Sequence, residues 1–343
     1  MEAGSADDSA LSTDEFDYEL PQELIAQEPV EPRSAARLLV DRGATSPLHA
    51  TMASLPELVG PGDLIVVNDT RVLPARLHLT RSTGGRAEVL LLELVEGSRW
   101  RALARPGRKL RAGELLHDDG GREVVMVLGR DAEDDGVFIV ELMVDADALE
   151  QVGEMPLPPY ITAPLRDAER YQTVYSRRAA SAAAPTAGLH FTDELMAKVE
   201  DRGARIERVE LVVGLDTFRP IAVDDVRDHR MHSEHFVVPR EVMEASESAS
   251  RVIAIGTTAT RALETAGASG RLSGRTDIFI RRGHRWSTVD LMLTNFHLPR
   301  TTLLVMIDAF IGSRWRALYQ EAISEGYRML SFGDAMLLDR RAQ

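Results

Sequence analysis

Cysteine is absent from the 343-residue sequence, so the chain can form no disulfide, thiolate metal site, iron–sulfur cluster or thiol nucleophile. Lysine is scarce, with two Lys against 38 Arg, and aromatic residues number only 18. No apolar run approaches the ~20 residues that span a bilayer. One of the longest, Leu303 to Ile311, is interrupted by Asp308. Neither the G-x-x-x-x-G-K-[ST] phosphate loop nor the G-x-G-x-x-G fingerprint occurs, which removes support for a nucleotide triphosphatase or an ordinary dinucleotide enzyme. Residues 1–31 hold ten acidic side chains and no Lys or Arg, the reverse of a cationic secretory or organellar leader. A cytoplasmic protein with no membrane attachment is expected.

What is present describes a globular chain of roughly two domains, with 44% hydrophobic and 27% charged residues. The net charge of −14 argues against a nucleic-acid partner, since phosphate binding needs clustered cations. Its distribution changes that reading. Eighteen of the acidic groups fall in residues 1–31 and 131–150, and neither stretch contains Lys or Arg. Between them, Arg99, Arg101, Arg105, Arg108, Lys109 and Arg111 follow one another without a carboxylate, as a solvated face or a strip that meets phosphates.

The acidic stretch 1–13 has too few large apolar groups to offset the entropy of ordering and reads as a disordered tail. Leu20-Pro21-Gln22-Glu23-Leu24-Ile25 reads as a short helix with Pro in its first turn, and Asp63–Val67 as a buried strand. From Val72 to about 149, short alternating runs are separated by Gly-Gly, Pro-Gly and Asp-Gly turns, the pattern of a small all-β barrel. After Pro156, strand and helix patterns alternate again. Thr192 caps a helix, Ile206–Val213 and Arg251–Ile255 read as strands, and Trp315, Leu318, Ala322 and Ile323 share one helix face. The fold class is therefore α/β: a discontinuous α/β domain over 14–71 and 150–343, interrupted at 72–149 by an inserted small antiparallel β-barrel domain.

Several polar runs stand in apolar surroundings. Asn68-Asp69-Thr70-Arg71 follows the strand Asp63–Val67, where a rigid sheet can aim side chains at a ligand; the plainer alternative is a hydrogen-bonded turn. Ala184-Pro185-Thr186-Ala187-Gly188-Leu189-His190 sets small residues beside an imidazole, which a core carbonyl could equally satisfy. Arg170-Tyr171 offers a guanidinium and a ring that can stack on a base. In Asp228-His229-Arg230-Met231-His232-Ser233-Glu234-His235, imidazoles at i, i+3 and i+6 could hold zinc on a helix. On a strand, His232 and Glu234 would share a face as an acid–base pair. The HExxH spacing is absent, and no metal is expected. Gly256-Thr257-Thr258, with Arg261 one turn on, opens a helix after a strand, a setting that favours an anion. Thr294-Asn295-Phe296-His297 and Ser331-Phe332-Gly333-Asp334 complete a polar cleft at strand ends.

The stretches LPQELIAQ, GDLIVVNDTRVLPARL, RYQTVY, AAPTAGLHFT, HRMHSE, IGTTATRALE, LTNFHLP and LSFGDAMLL, in this order from Phe16 to Leu338, closely resemble the S-adenosylmethionine:tRNA ribosyltransferase-isomerase family of queuosine biosynthesis. The resemblance implies an α/β domain interrupted by a β-barrel and a reaction without a redox cofactor. S-adenosylmethionine would be a consumed substrate. Its ribosyl unit would pass to 7-aminomethyl-7-deazaguanine at the wobble position of tRNA, giving epoxyqueuosine, adenine and methionine. By their chemistry, His190, His229, His232, Glu234 and His297 are then the candidates for proton transfer. Asn68, Asp69, Thr70, Arg71, Tyr171, Thr186, Thr257, Thr258, Arg261, Asn295 and Asp334 are candidates for holding substrate. The chain departs from the family's usual Leu-His-Val-Gly-x-Gly-Thr-Phe at Val212 and Leu215-Asp216. Rival readings are a family relative using the same donor on a free 7-deazapurine, a His-dependent metal hydrolase, and a catalytically silent tRNA-binding protein.

Overall fold

The computed structural model describes residues 11–132, 134, 136–214 and 219–342. In chain order, β1 (Arg37–Val40), β2 (Leu48–Thr51), α1 (Leu55–Leu58), β3 (Asp63–Asn68) and β4 (Thr70–Val72) come first. They lead into β5 (Arg76–Arg81), β6 (Arg86–Glu96), β7 (Arg99–Arg105), β8 (Leu115–His117), β9 (Glu123–Arg130) and β10 (Phe138–Leu142). Next are α2 (Ala146–Val152), β11 (Gly153–Glu154), β12 (Arg178–Ser181), α3 (Asp193–Asp201), β13 (Arg205–Leu211) and β14 (Glu234–Val237). The chain ends through α4 (Arg240–Ser248), β15 (Arg251–Ile255), α5 (Gly256–Ser269), β16 (Ser273–Thr276), β17 (Leu291–Asn295), α6 (Thr302–Ile311), α7 (Arg314–Ser324) and β18 (Ala335–Asp339).

A nine-stranded mixed sheet runs β16-β14-β13-β3-β15-β17-β18-β1-β2. Its middle strands β13, β3, β15 and β17 are parallel, so both faces must be covered. β3 shows how the sequence meets that demand. Leu64 and Val66 pack with Leu263 of α5 and Leu304 of α6, whereas Ile65 and Val67 point the other way onto Leu195 and Val199 of α3. That is the two-residue alternation of a strand buried on both sides. α3 starts at Thr192, whose hydroxyl accepts from the Leu195 amide at 3.1 Å, as its sequence anticipates.

The second sheet is antiparallel and closes on itself as β5-β6-β7-β10-β9-β8, with β8 pairing back to β5. Leu77, Val89, Trp100, Val125 and Val140 fill it. The fold is thus α/β with a closed six-stranded antiparallel barrel, the class expected from sequence. The barrel sheet also takes in β11, which pairs Gly153 with Leu77 and Glu154 with Arg76, beyond residue 149. The link back is tight: the Gln172 amide both accepts from the Val72 N–H and donates to the Val72 carbonyl, each at 2.9 Å.

Two local expectations need correction. Leu11–Thr13 do not belong to a tail. Leu11 and Thr13 are buried, Ser12 bridges to Asp225, and the Thr13 hydroxyl donates to the Val223 carbonyl at 2.7 Å; residues 1–10 lie outside the described residues. The helix expected from Leu20 is a single 3-10 turn, Gln22–Leu24, because backbone bonds from Met329 to Leu24 and from Ala26 to Met329 pull the chain into an extended pairing. Among the described residues no helix is long and apolar enough to cross a membrane.

Candidate active site

The carboxyl ends of β13, β15 and β17 open on a cleft lined by Thr186, Val213, Gly256, Thr257, Thr258, Asn295 and His297, among others. This is where an open α/β sheet binds ligands, because polar backbone and helix starts converge there. β15 ends at Ile255, and Gly256 takes a left-handed φ of +89° that turns the chain directly into α5. No side chain caps this helix start, so its first N–H groups are left without an acceptor inside the helix.

A hydrogen-bonded chain crosses the floor. The Thr186 hydroxyl donates to Asn295 Oδ1 at 2.9 Å, and Asn295 Nδ2 donates to His190 Nε2 at 3.2 Å. His190 must be neutral to accept that bond. Burial, followed by the charges of Arg328, Arg33 and Arg170, lowers its pKa to about 4. His190 therefore stands behind Asn295 and orients it rather than lining the cleft. His297 does line it, with Nε2 3.0 Å from Thr294 Oγ1. Burial lowers the His297 pKa to about 3, so it too is neutral near pH 7. If Nε2–H donates to Thr294, the lone pair of Nδ1 is left to receive a proton.

An adjoining groove lies between the sheet and the barrel. Val213 lines the cleft while its neighbours Val212 and Gly214 line the groove, and Leu303 and Thr302 are divided in the same way. Leu92, Glu93 and Arg101 of the barrel face His229, His232 and Glu234 across it. The segment from His229 to His235 is not helical: a 3-10 turn over Val226–Asp228 ends at His229, and strand begins only at Glu234. The helical zinc geometry and the shared strand face for His232 and Glu234 are both absent. Among the described residues, no three His, Asp or Glu side chains are grouped to hold a metal ion. Glu234 is engaged already, paired with Arg261 Nη1 and accepting from the Gly214 N–H at 3.2 Å. Arg261, on α5 and 3% exposed, carries Nε and Nη2 atoms that are buried without a hydrogen-bond partner. The departure at Leu215-Asp216 falls outside the described residues.

Residues 13–338 match the family of queuosine biosynthesis proteins. The chain belongs to this family. It is 50% identical over 333 residues to the S-adenosylmethionine:tRNA ribosyltransferase-isomerase of Rubrobacter xylanophilus, covering 96% of this chain and 98% of that one. It is 45% identical over 342 residues to the protein of the same name from Halothermothrix orenii, covering 96% and 100%. The crystal structure of S-adenosylmethionine tRNA ribosyltransferase from Thermotoga maritima aligns with a TM-score of 0.54 at 36% identity, over 94% of this chain and 99% of that one.

In this queuosine biosynthesis family member, several residues chosen from the sequence serve the scaffold. Asn68 donates to the Leu211 carbonyl at 2.9 Å and accepts from the Leu211 N–H at 3.1 Å, tying the end of β3 to the end of β13. Asp69 is buried with its backbone bonded to Val209 and Arg177; burial first, then Glu210, raises its pKa. Thr70 and Arg71 lie on β4, and Arg71 pairs with Glu169. Tyr171 is fully buried against the Phe332 ring and cannot stack on a base. Asp334 accepts from the Arg37 and Arg328 N–H groups, both at 2.8 Å, as the knot of a turn. The structure adds Tyr160 and Ser331 to the cleft, their hydroxyls 2.7 Å apart. Ser331 stood in a polar run; Tyr160, in a Pro-rich loop, carried no signal.

Proposed function

We propose that this chain is an S-adenosylmethionine:tRNA ribosyltransferase-isomerase, acting in the cytoplasm on tRNA that carries 7-aminomethyl-7-deazaguanine at the wobble position. The observation that carries this reading is the near-complete, 50% identical match to a relative of that name. The cleft suits the chemistry. The sulfonium of the donor acidifies the adjacent 5′-carbon. Loss of that proton to a base leaves an electron pair on C5′. Adenine departs with the C1′–N9 pair, and the substrate amine bonds to C1′ as the C1′–O4′ bond opens. The C5′ pair closes onto C1′, and O4′ displaces methionine, which leaves with the carbon–sulfur pair as the epoxide forms. The reaction is redox-neutral overall, and no cofactor beyond the consumed donor is called for.

Among the five candidates for proton transfer, His297 is the one that lines the cleft, neutral and with Nδ1 unengaged, and we assign it the proton from the 5′-carbon. His190 and Asn295 position the donor's polar edge. His229, His232 and Glu234 face the groove, which is where the tRNA nucleotide enters between sheet and barrel. Incubation of the purified chain with S-adenosylmethionine and tRNA bearing the 7-deazaguanine base should release adenine. Adenine release that does not depend on that tRNA, or none at all, would overturn the reading.

A further inference from the structure

The cleft has an unusual electrostatic make-up. Among the described residues that line it there is no Lys, Arg, Asp or Glu, yet the proposed donor brings a carboxylate on its methionine end. A free carboxylate buried without partners is costly. One place in the cleft answers it. α5 is 14 residues long, its start faces the cleft, and no side chain caps it. Uncapped N–H groups with the helix dipole behind them favour an anion.

A second, independent observation lies at the same spot. Thr258, only 7% exposed, lines the cleft, and its Oγ1 is buried without a hydrogen-bond partner. Buried hydroxyls are normally satisfied, so an orphan that faces a cleft marks a missing acceptor. Thr257 lines the cleft beside it. The left-handed Gly256 leaves bare backbone at the turn, so that a ligand can approach the N–H groups directly.

We infer that the first turn of α5, with the Thr258 hydroxyl, is the subsite for the α-carboxylate of the donor's methionine moiety. The inference rests on the proposed function and deepens it by fixing which end of the donor meets α5. Asn295 and His297, which line the same cleft, are then left to the ribosyl part. Thr258 is a specificity residue for the carboxylate, not a proton-transfer group.

The test uses the full chain and titration calorimetry with S-adenosylmethionine and with its decarboxylated analogue, which keeps the sulfonium, ribose and adenine. The wild-type chain should bind S-adenosylmethionine at least tenfold more tightly, the scale of hydrogen bonds to a charged group. Thr258→Val should weaken S-adenosylmethionine about tenfold and change the decarboxylated analogue less than twofold. Thr258→Ser should restore the preference. An equal loss for both ligands in Thr258→Val, no preference in the wild type, or weakened tRNA binding as the sole effect would each overturn the subsite. Adenine release by the same preparation separates the two ideas. A wild type that releases adenine but fails the ligand comparison loses only the subsite, whereas one that releases none loses the function and the subsite together.

Discussion

At the scale of single residues, burial decides what each ionisable group does. His190 and His297 have pKa values lowered to about 4 and about 3, against about 6.5 in an unfolded chain. Between these limits the unfolded state binds more protons, so stability rises with pH and is lost on acidification from about pH 6.5 toward pH 4. Urea midpoints measured from pH 7 to pH 4 should therefore fall less steeply in His297→Asn than in the wild type. The same substitution should reduce adenine release by about 10²-fold or more, the usual scale for a missing general base. A variant that keeps full activity would remove His297 from the chemistry. Glu234 and Arg261 form a buried pair, and removing one partner of such a pair costs ~3 kcal/mol or more. Arg261→Met should show that destabilisation in urea denaturation, and Glu234→Gln with Arg261→Met should recover part of it, because no lone carboxylate then remains buried.

At the scale of elements, what the sequence disclosed depended on whether the deciding interaction was local. β3, β15, α3, α5 and most barrel strands follow from alternation, caps and turn residues, which are neighbours in the chain. β8 is three residues long, too short to show a period, and exists because β5 and β9 supply partners on either side. The polar runs pointed correctly to strand ends but not to the direction of each side chain. Asn68, Asp334 and Tyr171 turn inward because their partners, Leu211, Arg37 and Phe332, are brought by distant segments. Thr257, Thr258, Asn295 and His297 face the cleft. Gly153 shows how tight an element junction can be: a Cβ there would stand 2.0 Å from the Pro74 carbonyl oxygen. Gly153→Ala should open the β5–β11 seam and cost ~1–3 kcal/mol or more, read as a lowered thermal midpoint. An unchanged midpoint would show that the seam does not contribute to stability.

At the scale of the whole molecule, the acidic balance of −14 stands against the polyanionic tRNA of the proposed reaction, so the placement of unpaired cations matters most. Arg101 is paired with Asp131, and Arg282 with Asp308 and Glu15. Arg105, Arg108 and Lys109 on the barrel are exposed and are the better partners for phosphates. Replacing all three with Ala should weaken tRNA binding and reduce its salt dependence by roughly one unit of slope for each phosphate no longer neutralised, with affinity for S-adenosylmethionine unchanged. A salt titration with an unaltered slope would exclude this strip. The paired ends of the barrel at Arg76 and Glu154 also bear on how the chain folds. β3 and β13 must meet in parallel, Leu64 beside Arg205, across a long loop. More than half of that loop is the barrel, built from neighbouring antiparallel strands. A barrel that forms first joins its own entry and exit, and so shortens the search that β3 and β13 have left to make. Halving a loop lowers its closure cost by only ~0.6 kcal/mol, so the inserted barrel should act on the order of assembly far more than on the final stability.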